Sequence, residues 1–280
     1  SDYSEDLKID KTILTQNAES YRKIRNTFRF ILGNIKDSFH KIDLEKVQIS
    51  ELPELEQYIL HRIYSIDKSI KKNFETYNFH KLYKDLLNFC NLDLSSFYFD
   101  IRKDVLYCDG VSSKKRKNCI KVLNILLDCL LKWFAPILVF TTDEINQLIS
   151  KSDMSIHESM FPKIPDNWGN KNLDEKWQKL FSIKQEANIA IEQKRANKEI
   201  GSSLEAEIEI YTNKETYKLL EGLDLAEYFI TSKAKKFEIK SDENLKVVVK
   251  KITGNKCPRC WKILEKKCDR CEAALKNNSL

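Results

Sequence analysis

AESYRKIRNTFRFILGNI, residues 18 to 35, is the stretch from which the fold is read. Ile24, Phe28, Ile31 and Ile35 recur at i, i+4, i+7 and i+11, the spacing that lines one face of an α-helix. Similar periodicity returns at 52 to 74, 78 to 101, 115 to 134 and 141 to 150. Short connectors separate these stretches: NIKDSFHKID, YCDGVSS and the segment around Pro136. Amphipathic helices joined this briefly pack side by side, so the bulk of the chain is expected to be a helical bundle, and the fold class mainly α.

Beyond the bundle the pattern changes twice. SMFPKIPDNWGN (159 to 170) has the prolines, glycine and asparagines of a loop, and a long helix is expected from about Leu173 to Lys198, with Gly201 as its C-cap. LEAEIEIY then alternates with period two, while KKFEI and LKVVVKKI are short and rich in branched residues. TYKLLEGLDLAEYF between them reads as helical, so a small α/β unit is expected. The expected division is an extended connection over 1–15, a helical domain over 16–165, a loop and long helix over 166–200, the α/β unit over 201–252 and a metal-binding module over 253–280.

Composition excludes several classes. With 42% hydrophobic and 32% charged residues the chain has the make-up of a folded globular protein rather than a disordered one. Its most apolar run, VLNILLDCLLKWFAPILVF (122 to 140), is broken by Asp128, Lys132 and Pro136 and reads as a core helix and its exit, so no membrane is implied. The N-terminal SDYSEDLKID has neither an initiator methionine nor an apolar signal segment, and the chain is expected to begin inside a longer protein. The net charge of +6 is unevenly spread: from Ser232 onward, 14 Lys and Arg face 6 Asp and Glu. Such a basic end fits either a nucleic-acid backbone or a solvated surface.

Catalytic chemistry has little support. His40, His61, His80 and His157 lie in separate segments, suited to surface or capping roles, and six glycines without a pair make no phosphate-cradling loop. Glu205, Glu207 and Glu209 alternate with apolar residues and read as the solvated face of a strand.

The end of the chain is different. In KCPRCWKILEKKCDRC (256 to 271), Cys257 and Cys260, then Cys268 and Cys271, form two Cys-x-x-Cys pairs seven residues apart. Each pair can aim both sulfurs at one tetrahedral ion, so one structural Zn2+ is expected, ahead of an iron–sulfur cluster or a redox dithiol. Trp261 follows the second cysteine directly, either covering the metal site or standing exposed as a stacking surface for a base. The helix at 18 to 35 adds a second clue. At about 100° per residue from Ile24, Arg22 and Arg29 fall near 150° and Phe30 near 240°, away from the apolar stripe. An arginine row beside an off-stripe ring suits unpaired RNA, and equally suits a ring packed on a neighbouring helix.

YRKIRNTFRFILGN (21 to 34), YNFHKLYKDLLNFCNLDLSSFYFDIRKDVLY (77 to 107), FAPILVFTTDEI (134 to 145), IGSSLEAEIEIY (200 to 211), CPRCW and CDRC resemble, in this order, the C-terminal region of bacterial-type isoleucyl-tRNA synthetases. The resemblance covers nearly the whole chain. It implies an anticodon-binding helical domain followed by a zinc module, with the tRNA(Ile) anticodon stem-loop as partner. The expected RNA-contacting residues are Arg22, Arg25, Arg29, Phe30, Arg259 and Trp261, and the expected metal ligands are the four terminal cysteines. It also implies a cytoplasmic, monomeric parent that uses ATP in a catalytic domain lying outside this chain, since no HIGH-type or KMSKS-type sequence occurs here. The cysteine pairs stand closer together than relatives commonly have them, which bears on where Trp261 is placed. The rival readings are the same region of another class I synthetase for aliphatic amino acids, and a zinc-knuckle interaction module without an RNA role.

Overall fold

The computed structural model describes residue 6 and residues 9–35, 39–150, 154–239 and 245–277; most of the connection expected before residue 9 lies outside the described residues. The described chain divides into two compact units, one made of residues up to Arg102 with Lys114–Asn170, the other of Lys103–Ser113 with the chain from Lys171 onward. None of its helices is long and apolar enough to cross a membrane.

The first unit is the helical bundle. Its α1 (Lys11–Ile35) starts earlier than the extended connection to residue 15 would allow. Asp10 accounts for this, because its carboxylate accepts from the Thr12 and Ile13 backbone N–H groups, at 2.6 and 2.9 Å, and so caps the helix. Ile24, Phe28, Ile31 and Ile35 are all buried, as their spacing requires. They meet α5 (Lys114–Phe134), where Phe28 packs edge-on to Phe134 at 5.9 Å between ring centroids. The remaining helices are α2 (Glu54–Glu75), α3 (Phe79–Asn88) and α6 (Val139–Ile149).

α3 does not end cleanly. It runs through a π-helical stretch, Phe89–Phe99, into α4 (Asp100–Cys108). Its buried residues, Phe89, Cys90, Leu94, Phe97, Tyr98 and Phe99, come in runs rather than at one spacing, so the wide i→i+5 turns leave no periodic signature. Just beyond the stretch lies a buried ion pair: Arg102 donates through Nε and Nη2 to the two oxygens of Glu56, both at 2.6 Å, with the Tyr98 hydroxyl on Glu56 as well. Two charges this deep are tolerated because each is paired and hydrogen-bonded. His61, expected at the surface or in a cap, is buried and accepts the Asn170 backbone N–H through Nδ1 at 3.0 Å, so its role is capping.

The second unit has the expected α/β character. α7 (Lys171–Ala196) packs on a sheet of order β2-β1-β3, with β1 (Ala206–Thr212) parallel to β2 (Lys233–Glu238) and antiparallel to β3 (Leu245–Lys251). The short helices α8 (Lys214–Leu219) and α9 (Leu225–Tyr228) fill the crossover. Ile208, Ile210 and Thr212 are fully buried. Trp177 of α7 and Tyr228, both buried, pack edge-on at 5.7 Å.

Two sequence expectations need correction here. α7 is not capped by Gly201: Lys198 takes the left-handed conformation (φ 58°), the Glu199 N–H reaches back to the Lys194 carbonyl at 3.0 Å and the Lys198 N–H to that of Arg195 at 2.9 Å. This is a Schellman closure built on lysine, three residues before the glycine. The glutamate row is also not simply solvated. Glu205 lies in the 3-10 turn before β1 and accepts the Gly201 N–H at 3.0 Å, while Glu209 is buried beneath Lys250, 2.7 Å away.

Candidate nucleic-acid interface and metal centre

The metal centre is a hairpin and a helix. β4 (Asn255–Lys256) pairs with β5 (Ile263–Leu264), and the turn between them carries Cys257 and Cys260. α10 (Asp269–Asn277) begins between Cys268 and Cys271. Gly254 opens the hairpin at φ 150°, where an added Cβ would lie 2.5 Å from the Leu264 carbonyl oxygen, so no larger residue fits.

The four sulfurs lie within 4.8 Å of one another, with Cys260 and Cys268 Sγ 3.9 Å apart. A tetrahedral ion at about 2.3 Å from each thiolate spaces its ligands about 3.8 Å apart, so the cluster needs little adjustment to close on a metal. Burial works against the Cys257 thiolate, but the Cys260 and Arg259 backbone N–H groups aimed at it bring its pKa down to about 7. Burial pushes Cys260 and Cys271 up instead. The four cysteines could therefore hold a metal ion.

The hairpin does not stand alone. Cys108, at the end of α4, is buried in the same sulfur cluster, and its thiol points at the Arg259 carbonyl oxygen at 3.7 Å. Arg259 donates from Nη1 to the Cys108 carbonyl at 2.5 Å and from Nη2 to the Tyr107 carbonyl at 3.0 Å. Arg270 grips the carboxylate of Asp104 and also reaches Asp109. Arg259, expected on the RNA surface, thus closes the C-terminal end of α4, where carbonyls lack helical partners and attract cations. Sequence reading missed Cys108, Asp104 and Arg270. The only signal was an acidic residue either side of a cysteine more than 150 positions upstream.

Trp261 has the most unusual placement. It is 61% exposed, and its backbone is left-handed (φ 63°), a region where a bulky residue is strained. Its N–H donates to the Cys257 carbonyl at 2.9 Å, so the turn itself imposes the strain, and Lys256 Nζ lies 5.9 Å from the ring centroid. More than half of the side chain is therefore open to solvent.

On the first unit, Arg22, Arg25 and Arg29 project from the exposed side of α1. Arg22 pairs with Glu19, whereas Arg25 and Arg29 make no ion pair among the described residues. Phe30 is half-buried and stacks on Phe99 of the π-helical stretch, 4.3 Å between centroids and 16° from parallel. One face of the ring is therefore taken by protein.

Arginines on one exposed helix face of the first unit, and an exposed tryptophan on the cysteine knuckle of the second, are side chains of the kind that meet unpaired RNA. Residues 56–210 match the family model described as the anticodon-binding domain of tRNA ligase, and the chain belongs to that family. It is 54% identical over 272 residues to an isoleucine–tRNA ligase of Pelagibacter ubique (strain HTCC1062), covering 96% of this chain and 30% of the relative. It is 38% identical over 273 residues to that of Agrobacterium fabrum (strain C58), covering 94% of this chain and 28% of the relative. The chain thus spans less than a third of the length of the curated relatives it matches.

Proposed function

We propose that this chain is the anticodon-reading part of an isoleucine–tRNA ligase and that its partner is the anticodon stem-loop of tRNA(Ile). The observation that carries the reading is Trp261: an indole held exposed and strained on a cysteine knuckle spends stability on display, which suits base stacking and serves no packing purpose. Arg22, Arg25 and Arg29 supply a guanidinium row for the backbone, and Phe30, stacked on Phe99, sits beside that row as a further contact. Arg259 acts indirectly in this scheme, by fixing the turn that carries Trp261. The ion held by Cys257, Cys260, Cys268 and Cys271 is a structural Zn2+, because four thiolates leave no open position for water.

In the parent protein, attachment of isoleucine to tRNA with ATP belongs to a catalytic domain outside this chain, which is itself non-catalytic, monomeric and cytoplasmic. The test is equilibrium binding of tRNA(Ile) against the same tRNA with a swapped anticodon. Preference for the cognate anticodon that Trp261→Ala abolishes is the expected result. Equal binding of both tRNAs would refute the reading.

A further inference from the structure

One face of the β2-β1-β3 sheet is not used by the site described above. In the observed register Glu207 sits between Lys233 and Lys250, Glu209 between Lys235 and Val248, and Tyr211 between Phe237 and Lys246. Alternate residues of a strand share a face, so these side chains lie together on the side opposite buried Ile208 and Ile210. The two glutamates are consumed within the sheet: Glu207 by Lys235 at 2.7 Å and Glu209 by Lys250 at 2.7 Å. Lys246 has no ion-pair partner among the described residues. The surface presented outward is therefore positive.

It also carries a ring held in place. Tyr211 donates its hydroxyl to Glu209 at 2.9 Å and stacks on Phe237 at 4.9 Å and 17°, which leaves Phe237 exposed on the edge strand. The knuckle is joined to the head of that strand. The Ile263 N–H donates to Ser232 Oγ at 2.7 Å, and Lys233 Nζ lies 3.6 Å from a Glu265 carboxylate oxygen. From Ser232 to Phe237 is about 16 Å of strand, so the hairpin that follows Trp261 is tied to the head of the strand that carries Phe237.

We infer that this sheet face is a second RNA-contacting surface, binding single-stranded RNA with phosphates along Lys233, Lys235, Lys246 and Lys250 and a base on Phe237. Spaced cations in excess of the two glutamates, set around a braced aromatic ring, are what a flexible polyanion with π-faces requires. This deepens the proposed function and rests on it for the identity of the RNA, though not for the chemistry of the surface.

The test uses the whole chain with two probes: a short single-stranded RNA of mixed sequence lacking the isoleucine anticodon, and tRNA(Ile) with its anticodon-swapped counterpart. The unmodified chain should bind the short RNA, and Phe237→Ala should weaken that binding about fivefold or more, with Phe237→Trp restoring it. Lys246→Gln should lower the log–log salt slope by about 0.7, the signature of one lost phosphate contact on a single strand. Circular dichroism and metal content confirm that each variant is folded. If the short RNA is not bound, or Phe237→Ala, Phe237→Leu and Lys246→Gln all bind it like the unmodified chain, the inference is overturned even where Trp261→Ala still abolishes cognate preference. If cognate preference is missing while short-RNA binding depends on Phe237, the anticodon reading falls and this surface stands.

Discussion

Arg270 and Asp104 form a two-pronged ion pair, Nη1 to Oδ2 at 2.6 Å and Nη2 to Oδ1 at 2.9 Å, although 166 residues of chain separate them. The pair ties the helix that follows Cys268 to the end of α4. Burial opposes ionisation of Asp104, yet Arg270 holds its carboxyl below the usual range. The folded pKa lies below the unfolded one, so the stabilisation is present above about pH 4 and is lost as the pH falls through the folded value. Asp104→Asn should cost the second unit about 1–2 kcal/mol at neutral pH, a figure that allows for partial solvent screening. Hydrogen exchange of α10 amides reads the effect, and the gap between variant and unmodified chain should narrow below pH 4.

The cysteine cluster predicts one metal ion per chain by elemental analysis. Chelation, or Cys271→Ser, should melt the segment from Asn255 onward while most of the helical circular dichroism persists, because the bundle has its own core. An iron chromophore would exclude zinc, and an absence of metal would leave the knuckle a thiol cluster.

Trp261 allows a test in which stability and binding move in opposite directions. Replacing it with glycine relieves the left-handed strain, so Trp261→Gly should stabilise the knuckle by up to about 1 kcal/mol while weakening cognate tRNA binding about fivefold or more. A packing residue would lose stability instead. Thermal unfolding and tRNA titration on the same preparation decide between the two.

Lys198 and Gly201 make a paired prediction about where α7 ends. Lys198→Gly should stabilise by about 0.5–1 kcal/mol, since glycine adopts φ near +58° without a Cβ penalty. Gly201→Ala should be tolerated, because the added Cβ meets only the end of the Glu205 side chain, at 3.2 Å. Denaturant midpoints check both, and a large loss in Gly201→Ala would restore the glycine as the cap.

What the sequence disclosed follows from which forces act locally. The stripe Ile24–Phe28–Ile31–Ile35, the alternation through β1 and the paired cysteines are short-range patterns, and each has its counterpart in the fold. Apolar spacing also located a helix over 78 to 101, but not its π-helical interior or its continuation to Cys108. The glycine at 201 misled because Lys198 and Glu199 complete the backbone closure without it. The link from Arg259 to α4 was not legible because its partners are main-chain carbonyls of Tyr107 and Cys108, and main-chain acceptors have no sequence signature. Glu209 looked solvated because the lysine that covers it comes from a strand 41 residues later.

The contacts of Cys108 with Arg259 also have a consequence for synthesis on the ribosome. Residues 103–113 emerge long before the knuckle that receives them, and 151 residues must be added before Arg259 follows Cys108. At about 5–20 residues per second that is a delay of roughly 8 to 30 seconds. Throughout it, the α4 carbonyls lack their guanidinium and the Cys108 thiol lacks its cover. A nascent chain arrested before residue 256 should therefore be labelled readily at Cys108 by a thiol-reactive probe, and docking of the segment from Cys257 to Cys271 is the event that hides it.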